Sequence, residues 1–249
     1  VWGDVTGDGR PELIFCNEGR LGYAGPDRAN PDAPWVFHPV SGENKRYFKF
    51  THGVGFGDIN GDGRTDIVEA IGWWEQPAAP AADQPWPFHP QTFAEAAAQM
   101  LVGDVNGDGL ADVITSWHCH RYGMVWWQQV KGDAGPTWKQ HVILPPAPDT
   151  TSSAFRVSQL HALVLIDMNG DGVKDILTGK RFWSHGPKGD VEPDAPAVVF
   201  WFETQRGATG EVTFVPHLID DNSGVGTQVA ATDLNGDGRP DVIVGNKKG

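Results

Sequence analysis

Five copies of one nine-residue motif run through the chain: DVTGDGRPE at 4–12, DINGDGRTD at 58–66, DVNGDGLAD at 104–112, DMNGDGVKD at 167–175 and DLNGDGRPD at 233–241. A recurring motif decides architecture before any single residue is read, because each copy marks one unit that must stack on its neighbours to bury its apolar face. The first aspartates are separated by 54, 46, 63 and 66 residues. That period suits a four-stranded blade of a propeller or a related array, made uneven by insertions.

Like charges a few ångströms apart repel, so carboxylates at motif positions 1, 5 and 9 converge readily on a cation. Hard oxygen donors without Cys or His indicate calcium, with magnesium second. The side chains of positions 1, 3, 5 and 9 and the carbonyl of position 7 form the expected ligand set. The second copy supplies Asp58, Asn60, Asp62, Arg64 and Asp66; the third, Asp104, Asn106, Asp108, Leu110 and Asp112. The fourth supplies Asp167, Asn169, Asp171, Val173 and Asp175, and the fifth Asp233, Asn235, Asp237, Arg239 and Asp241. In the first copy, Asp4, Thr6, Asp8, Arg10 and Glu12 depart from the pattern at positions 3 and 9, which predicts weaker binding there. Gly61 and Gly63 permit the positive φ of so tight a wrap. An EF-hand begins the same way but needs Glu at position 12 and flanking helices. Only Glu69 meets the first condition, and the flanks (LVGD and ADVITSW, ALVLID and DILTG) are β-like. The alternative that these are merely solvated acidic turns needs no ion.

The formal charge of −13 argues against nucleic acid as a partner. Five divalent ions would bring it to −3. With 39% hydrophobic residues among 249, a sizeable core can form. No run of about 18 apolar residues provides a membrane span. Neither an initiator Met nor a signal segment precedes Val1, so the chain reads as a mature or excised piece. Cys16 and Cys119 lie in different repeats and are read as free thiols.

After each loop one order returns: a short apolar strand, an aromatic strand (71–76, 124–129, 198–203), then a strand with a central His (35–40, 87–91, 139–144, 214–219). The chain resembles the FG-GAP or VCBS type of repeat. That resemblance implies an all-β β-propeller of four-stranded antiparallel blades with calcium between strands one and two. It covers nearly the whole chain, as one propeller domain with repeats near 1–50, 51–96, 97–157, 158–225 and 226–249. VWGD alone precedes the first motif, and the last repeat stops at NKKG. The expectation is an incomplete ring, seven blades in the full protein, with further domains or missing blades beyond this chain.

Residues that recur at one register build blades. Trp73, Trp74, Trp126, Trp127 and Trp201, with His38, His89, His141 and His217, are assigned to packing on that ground. His52 and His161 stand outside the consensus, each six residues before a motif aspartate. So do two loops between second and third strands: SWHCHRYG (116–123), with His118, His120, Arg121 and Tyr122, and 179–194, with Lys180, Arg181, Trp183 and His185. Up-and-down topology puts all of them at the end of the blades opposite the acidic loops, with His52 and His161 facing the channel mouth.

Three readings compete there. These are ordinary loop polars; or His52, His161 and His118 or His120 ligate zinc; or His120 or Tyr122 removes a proton beside a carbonyl or carboxylate while Arg121, Lys180 or Arg181 stabilises the enolate. Metal and base can coexist. The stretch from QLHALVLIDMNGDG to VVFWFE resembles propellers that accompany sugar-processing modules, and more distantly those of aldos-2-ulose dehydratases and propeller polysaccharide lyases. These families imply elimination next to an acidifying group, with residue types carried onto His52, His120, Tyr122, His161, Lys180 and Arg181. The expectation is a secreted or periplasmic lyase or dehydratase acting on carbohydrate. The alternative is a non-enzymatic FG-GAP adhesion module binding glycan or protein.

Overall fold

The computed structural model describes residues 1–81, 84–133, 135–146 and 156–245. Within them every regular element is a strand. The first blade is β1 (Trp2–Gly3), β2 (Glu12–Asn17), β3 (Arg20–Gly25) and β4 (Val36–Pro39). The second is β5 (Val54–Gly57), β6 (Asp66–Glu69), β7 (Gly72–Trp74) and β8 (Phe88–Pro90). The third is β9 (Met100–Gly103), β10 (Asp112–Ser116), β11 (Met124–Gly132) and β12 (Gly135–Leu144). The fourth is β13 (Leu160–Ile166), β14 (Asp175–Lys180), β15 (Val199–Arg206) and β16 (Val212–Asp220), and a two-stranded fifth has β17 (Val229–Thr232) and β18 (Asp241–Val244). Strands within each sheet are antiparallel and in sequence order. Each acidic motif bridges the first and second strand of its blade.

Blades cannot bury both faces alone, and the core accordingly divides into four clusters, each shared by two successive blades. Val5, Ile14 and Leu21 meet Val54, Ile67 and Trp74; Ile59, Val68 and Trp73 meet Met100 and Val113. Ile114 and Trp126 meet Leu163, Ile176 and Phe200; Leu177 and Val199 meet Val225 and Val229. Each fully buried Leu, Ile or Phe contributes about 1.5–3 kcal/mol. The inner strands β5, β9, β13 and β17 pack side by side in an open arc. Gly55 permits the closest approach, since a Cβ there would stand 2.1 Å from the Met100 carbonyl oxygen.

The recurrent aromatics are structural. At the register two residues past motif position 9, Trp73 stacks on His89, Trp126 on His141 and Trp201 on His217, at centroid distances of 4.1, 4.3 and 4.5 Å. Tyr23 and His38 occupy the equivalent place in the first blade. The outer nitrogens of His89 and His217 bond Glu75 and Glu203, and that of His141 bonds Gln128.

A second device staples each blade to the previous one. Gln76 Nε2 donates to the Val5 carbonyl, Gln129 Nε2 to that of Ile59 and Arg206 Nε to that of Val105. All three carbonyls belong to position 2 of an acidic motif. The loops are therefore mechanical parts of the blade interfaces as well as candidate ion sites. Glu69, the lone match to an EF-hand glutamate, is buried and accepts hydrogen bonds from Arg46, Tyr47 and Trp74 at 2.6, 2.8 and 2.8 Å. It is a core acceptor, which disposes of the EF-hand reading.

Candidate functional site at the channel mouth

The acidic loops occupy the rim opposite the histidines. Asp58 Oδ1 accepts the N–H groups of Gly61 and Asp62, and its Oδ2 that of Gly63. Asp62 accepts from Arg64 N–H, from the Asn60 amide and from the Arg64 guanidinium. Asp66 is fully buried and accepts Ile59 N–H on one oxygen and Gln76 N–H on the other, each at 2.9 Å. Burial pushes its carboxyl up to about 6 against the pull of those donors, and the charges of Asp62 and Asp58 add to the rise. Asp112 is likewise pushed up to about 6 by burial. Backbone amides of a turn held at positive φ by Gly61 and Gly63 (76° and 85°) thus supply part of the positive field that tolerates the crowded acids. A cation is not the sole means of accommodating them. The donor set still fits calcium: it consists of hard oxygens, and each carboxylate keeps lone pairs beyond those its amides use. The first copy fits least well, since Thr6 Oγ1 reaches only Glu12, at 3.5 Å, and Glu12 is spent on the amides of Val5 and Thr6.

At the opposite end a cavity of about 470 Å³ opens between the inner strands, with Val1, His52, Gln99, His161 and Thr227 drawn from all five repeats among its lining. Beside it His52, Cys119, His120 and His161 converge, one potential metal-ligand atom from each within 4.8 Å of the others. The His52 ring lies 5.3 Å from that of His120 and 5.1 Å from that of His161. Three of the predicted site residues therefore converge. His118, an equal candidate from sequence, stands outside the group with its ring 6.2 Å from His120, and its N-terminal-to-C-terminal neighbour Cys119 takes its place.

Backbone geometry explains that exchange. The SWHCHRYG segment is a turn: Arg121 N–H bonds the His118 carbonyl and Cys119 N–H bonds the Ala96 carbonyl. Adjacent Cys119 and His120 thereby both reach the cluster, which strand alternation would forbid. Burial pulls the His120 imidazolium down to about 4 and that of His161 to about 3, with Arg181 adding to both. Burial also pushes the Cys119 thiol up to about 12, opposed by Arg181. Arg181 is 5% exposed, and its Nε and Nη2 have no hydrogen-bond partner.

The remaining predicted residues separate. Tyr122 accepts a hydrogen bond from Arg156, itself paired with Glu192, and burial holds its phenol above the usual range. Arg121 is exposed. Lys180 is buried, donates to Ser158 Oγ at 2.5 Å and to the Val191 carbonyl at 3.1 Å, and burial lowers its pKa. Two further residues enter the site: His185, which the sequence placed in the 179–194 loop without a role, and Gln159, which it did not single out. The His185 ring lies 5.1 Å from that of His120, tilted to it, and its Nδ1 lies 3.4 Å from Asp190 Oδ1. Gln159, buried with φ of 62°, ties both loops together: it donates to the Arg121 carbonyl and accepts from Arg181 N–H and Ser184 Oγ. A left-handed non-glycine residue costs of order 1 kcal/mol and persists where surroundings demand it.

Two stretches of the chain match family models: residues 104–178 the FG-GAP-like repeat and residues 225–249 the FG-GAP repeat. The fold is an all-β propeller arc of antiparallel sheets. Among solved structures, it is similar to the V. cholerae biofilm matrix protein Bap1, at 15% identity and a TM-score of 0.43. That match covers 93% of this chain and 30% of the Bap1 chain. No curated protein matches the sequence. No helix among the described residues is long and apolar enough to cross a membrane.

Proposed function

We propose that the chain is a calcium-stabilised, extracytoplasmic propeller acting on carbohydrate as a lyase or dehydratase. The base removes the proton beside a keto or carboxylate group, its electron pair becomes the new C=C bond, and the β C–O bond breaks with the oxygen leaving protonated. The observation that carries this reading is the pairing of His185 with the buried carboxylate of Asp190 at the edge of a histidine cluster that contains no acid. Asp190 Oδ1 accepts Ser184 Oγ–H and His185 N–H and sits 3.4 Å from Nδ1, which favours the tautomer protonated there and leaves Nε2 to take the proton. His185 thus assumes the role that sequence reading offered to His120 or Tyr122. The enolate that forms is stabilised by the positive field around Arg181.

The experiment is turnover on uronate-containing polysaccharides and keto-sugars, followed by ultraviolet absorbance of the conjugated product. Parent protein should generate product, and His185→Ala and Asp190→Asn should lose most of it with unchanged melting temperatures. Absence of product from the parent with every sugar tested, together with saturable glycan binding, would instead identify an adhesion module.

A further inference from the structure

We infer that His52, Cys119, His120 and His161 form a binding centre for a zinc-class divalent metal, with the Cys119 thiolate as its anionic ligand and the buried Arg181 guanidinium as that thiolate's counter-charge. This inference deepens the proposed function, because it occupies the same mouth.

Each donor can be assigned. His52 Nδ1 bonds the Ala97 carbonyl at 2.7 Å, which leaves Nε2 as its ligand atom. His161 Nδ1 is buried without a partner. His120 Nε2 is likewise buried and unpartnered. Metal-bound histidines use one nitrogen for the ion and anchor the other on a carbonyl or carboxylate, as His52 is anchored on Ala97. Cys119 Sγ lies 3.9 Å from His52 Nδ1.

Buried polar atoms without partners are expensive, and two imidazole nitrogens and two guanidinium nitrogens are in that condition here. One ion answers the imidazoles. It also answers Arg181, because coordination deprotonates the thiol and supplies the anion that no carboxylate within ion-pair distance provides among the described residues. Three imidazoles and one thiolate suit zinc and its neighbours, whereas calcium and magnesium prefer oxygen. His52 and His161 line the cavity, so an ion held by them would sit at its edge. With a thiolate as the sole acid among its ligands and Arg181 adjacent, the centre stays positive and would take an anionic oxygen there.

The test uses the full chain, freed of metal by chelation and titrated with cobalt(II). The result expected is one cobalt per chain, displaced by zinc and not by calcium, with an intense sulfur-to-cobalt charge-transfer band. Cys119→Ser should lose that band, and His52→Ala, at an exposed position, should weaken binding by about 10- to 100-fold while the circular-dichroism spectrum is retained. Cobalt uptake that lacks the band, that calcium displaces, or that His52→Ala leaves unchanged overturns the inference. Metal binding as predicted but no elimination product refutes the proposed reaction alone. Full elimination by chelated protein refutes a role for the ion in that reaction.

Discussion

Gln129 offers the sharpest test of how the blades are held together. Its side chain is 5% exposed, and Nε2 donates to Ile59 O at 2.9 Å, across the blade interface, and to Ala111 O at 2.7 Å within its own blade. Gln129→Ala leaves both carbonyls without that donor, while the backbone bond from Gln129 N–H to Asp112 is kept. An orphaned buried acceptor costs about 1–3 kcal/mol, and the side-chain volume lost adds a smaller cavity penalty. The combined expectation is about 2–4 kcal/mol, a fall in melting temperature of roughly 4–16 °C for a chain of this size. Gln128→Ala is the control one residue away, since it removes only the half-buried contact to His141 and should cost about 1 kcal/mol or less. Thermal denaturation followed by circular dichroism reads both. Equal melting temperatures for the two variants would refute the staple, and with it the inference that position 2 of each motif loop is gripped by the next blade.

Other consequences are as direct. Calcium should raise the melting temperature of chelated parent protein, as any ligand of the folded state alone must, and Asp62→Ala should reduce that rise; no response to calcium would remove the ion from the loops. Glu69→Ala should cost about 3 kcal/mol by stranding Arg46, Tyr47 and Trp74, and by the same amount with calcium or with chelator, because Glu69 is a core acceptor. A loss seen only with calcium would restore the EF-hand reading. Gly55→Ala should destabilise the second and third blades more than Gly61→Ala alters blade packing, as judged by hydrogen exchange in β5 and β9, because its methyl collides with the Met100 carbonyl.

How much of this could be read beforehand follows from what each signal depends on. The blades were legible because DxNGDGxxD punctuates strands locally, and the Trp and His registers recur with it. His52 and His161 were legible as departures from a repeat, and their positions, just before β5 and near the start of β13, determine where they end. Cys119 was not, because its entry into the cluster depends on a turn held by the carbonyl of Ala96, on the far side of the third motif from Cys119. The His185–Asp190 pair and Gln159 were obscured for the same reason: a long loop folds back on itself, and only tertiary hydrogen bonds decide which polar groups meet. The acidic loops carry the opposite lesson. Their pattern was plain, yet the mutual tolerance of their carboxylates is met in part by turn amides, which no residue count reveals.

The central claim is that the end of the blades opposite the acidic loops carries a built ligand centre. Anomalous diffraction from crystals grown with calcium and zinc tests it most directly, by collecting above and below the zinc edge. The account predicts a zinc peak within bonding distance of His52 Nε2, Cys119 Sγ, His120 Nε2 and His161 Nδ1. A featureless mouth, or zinc found only among the motif aspartates, would contradict it.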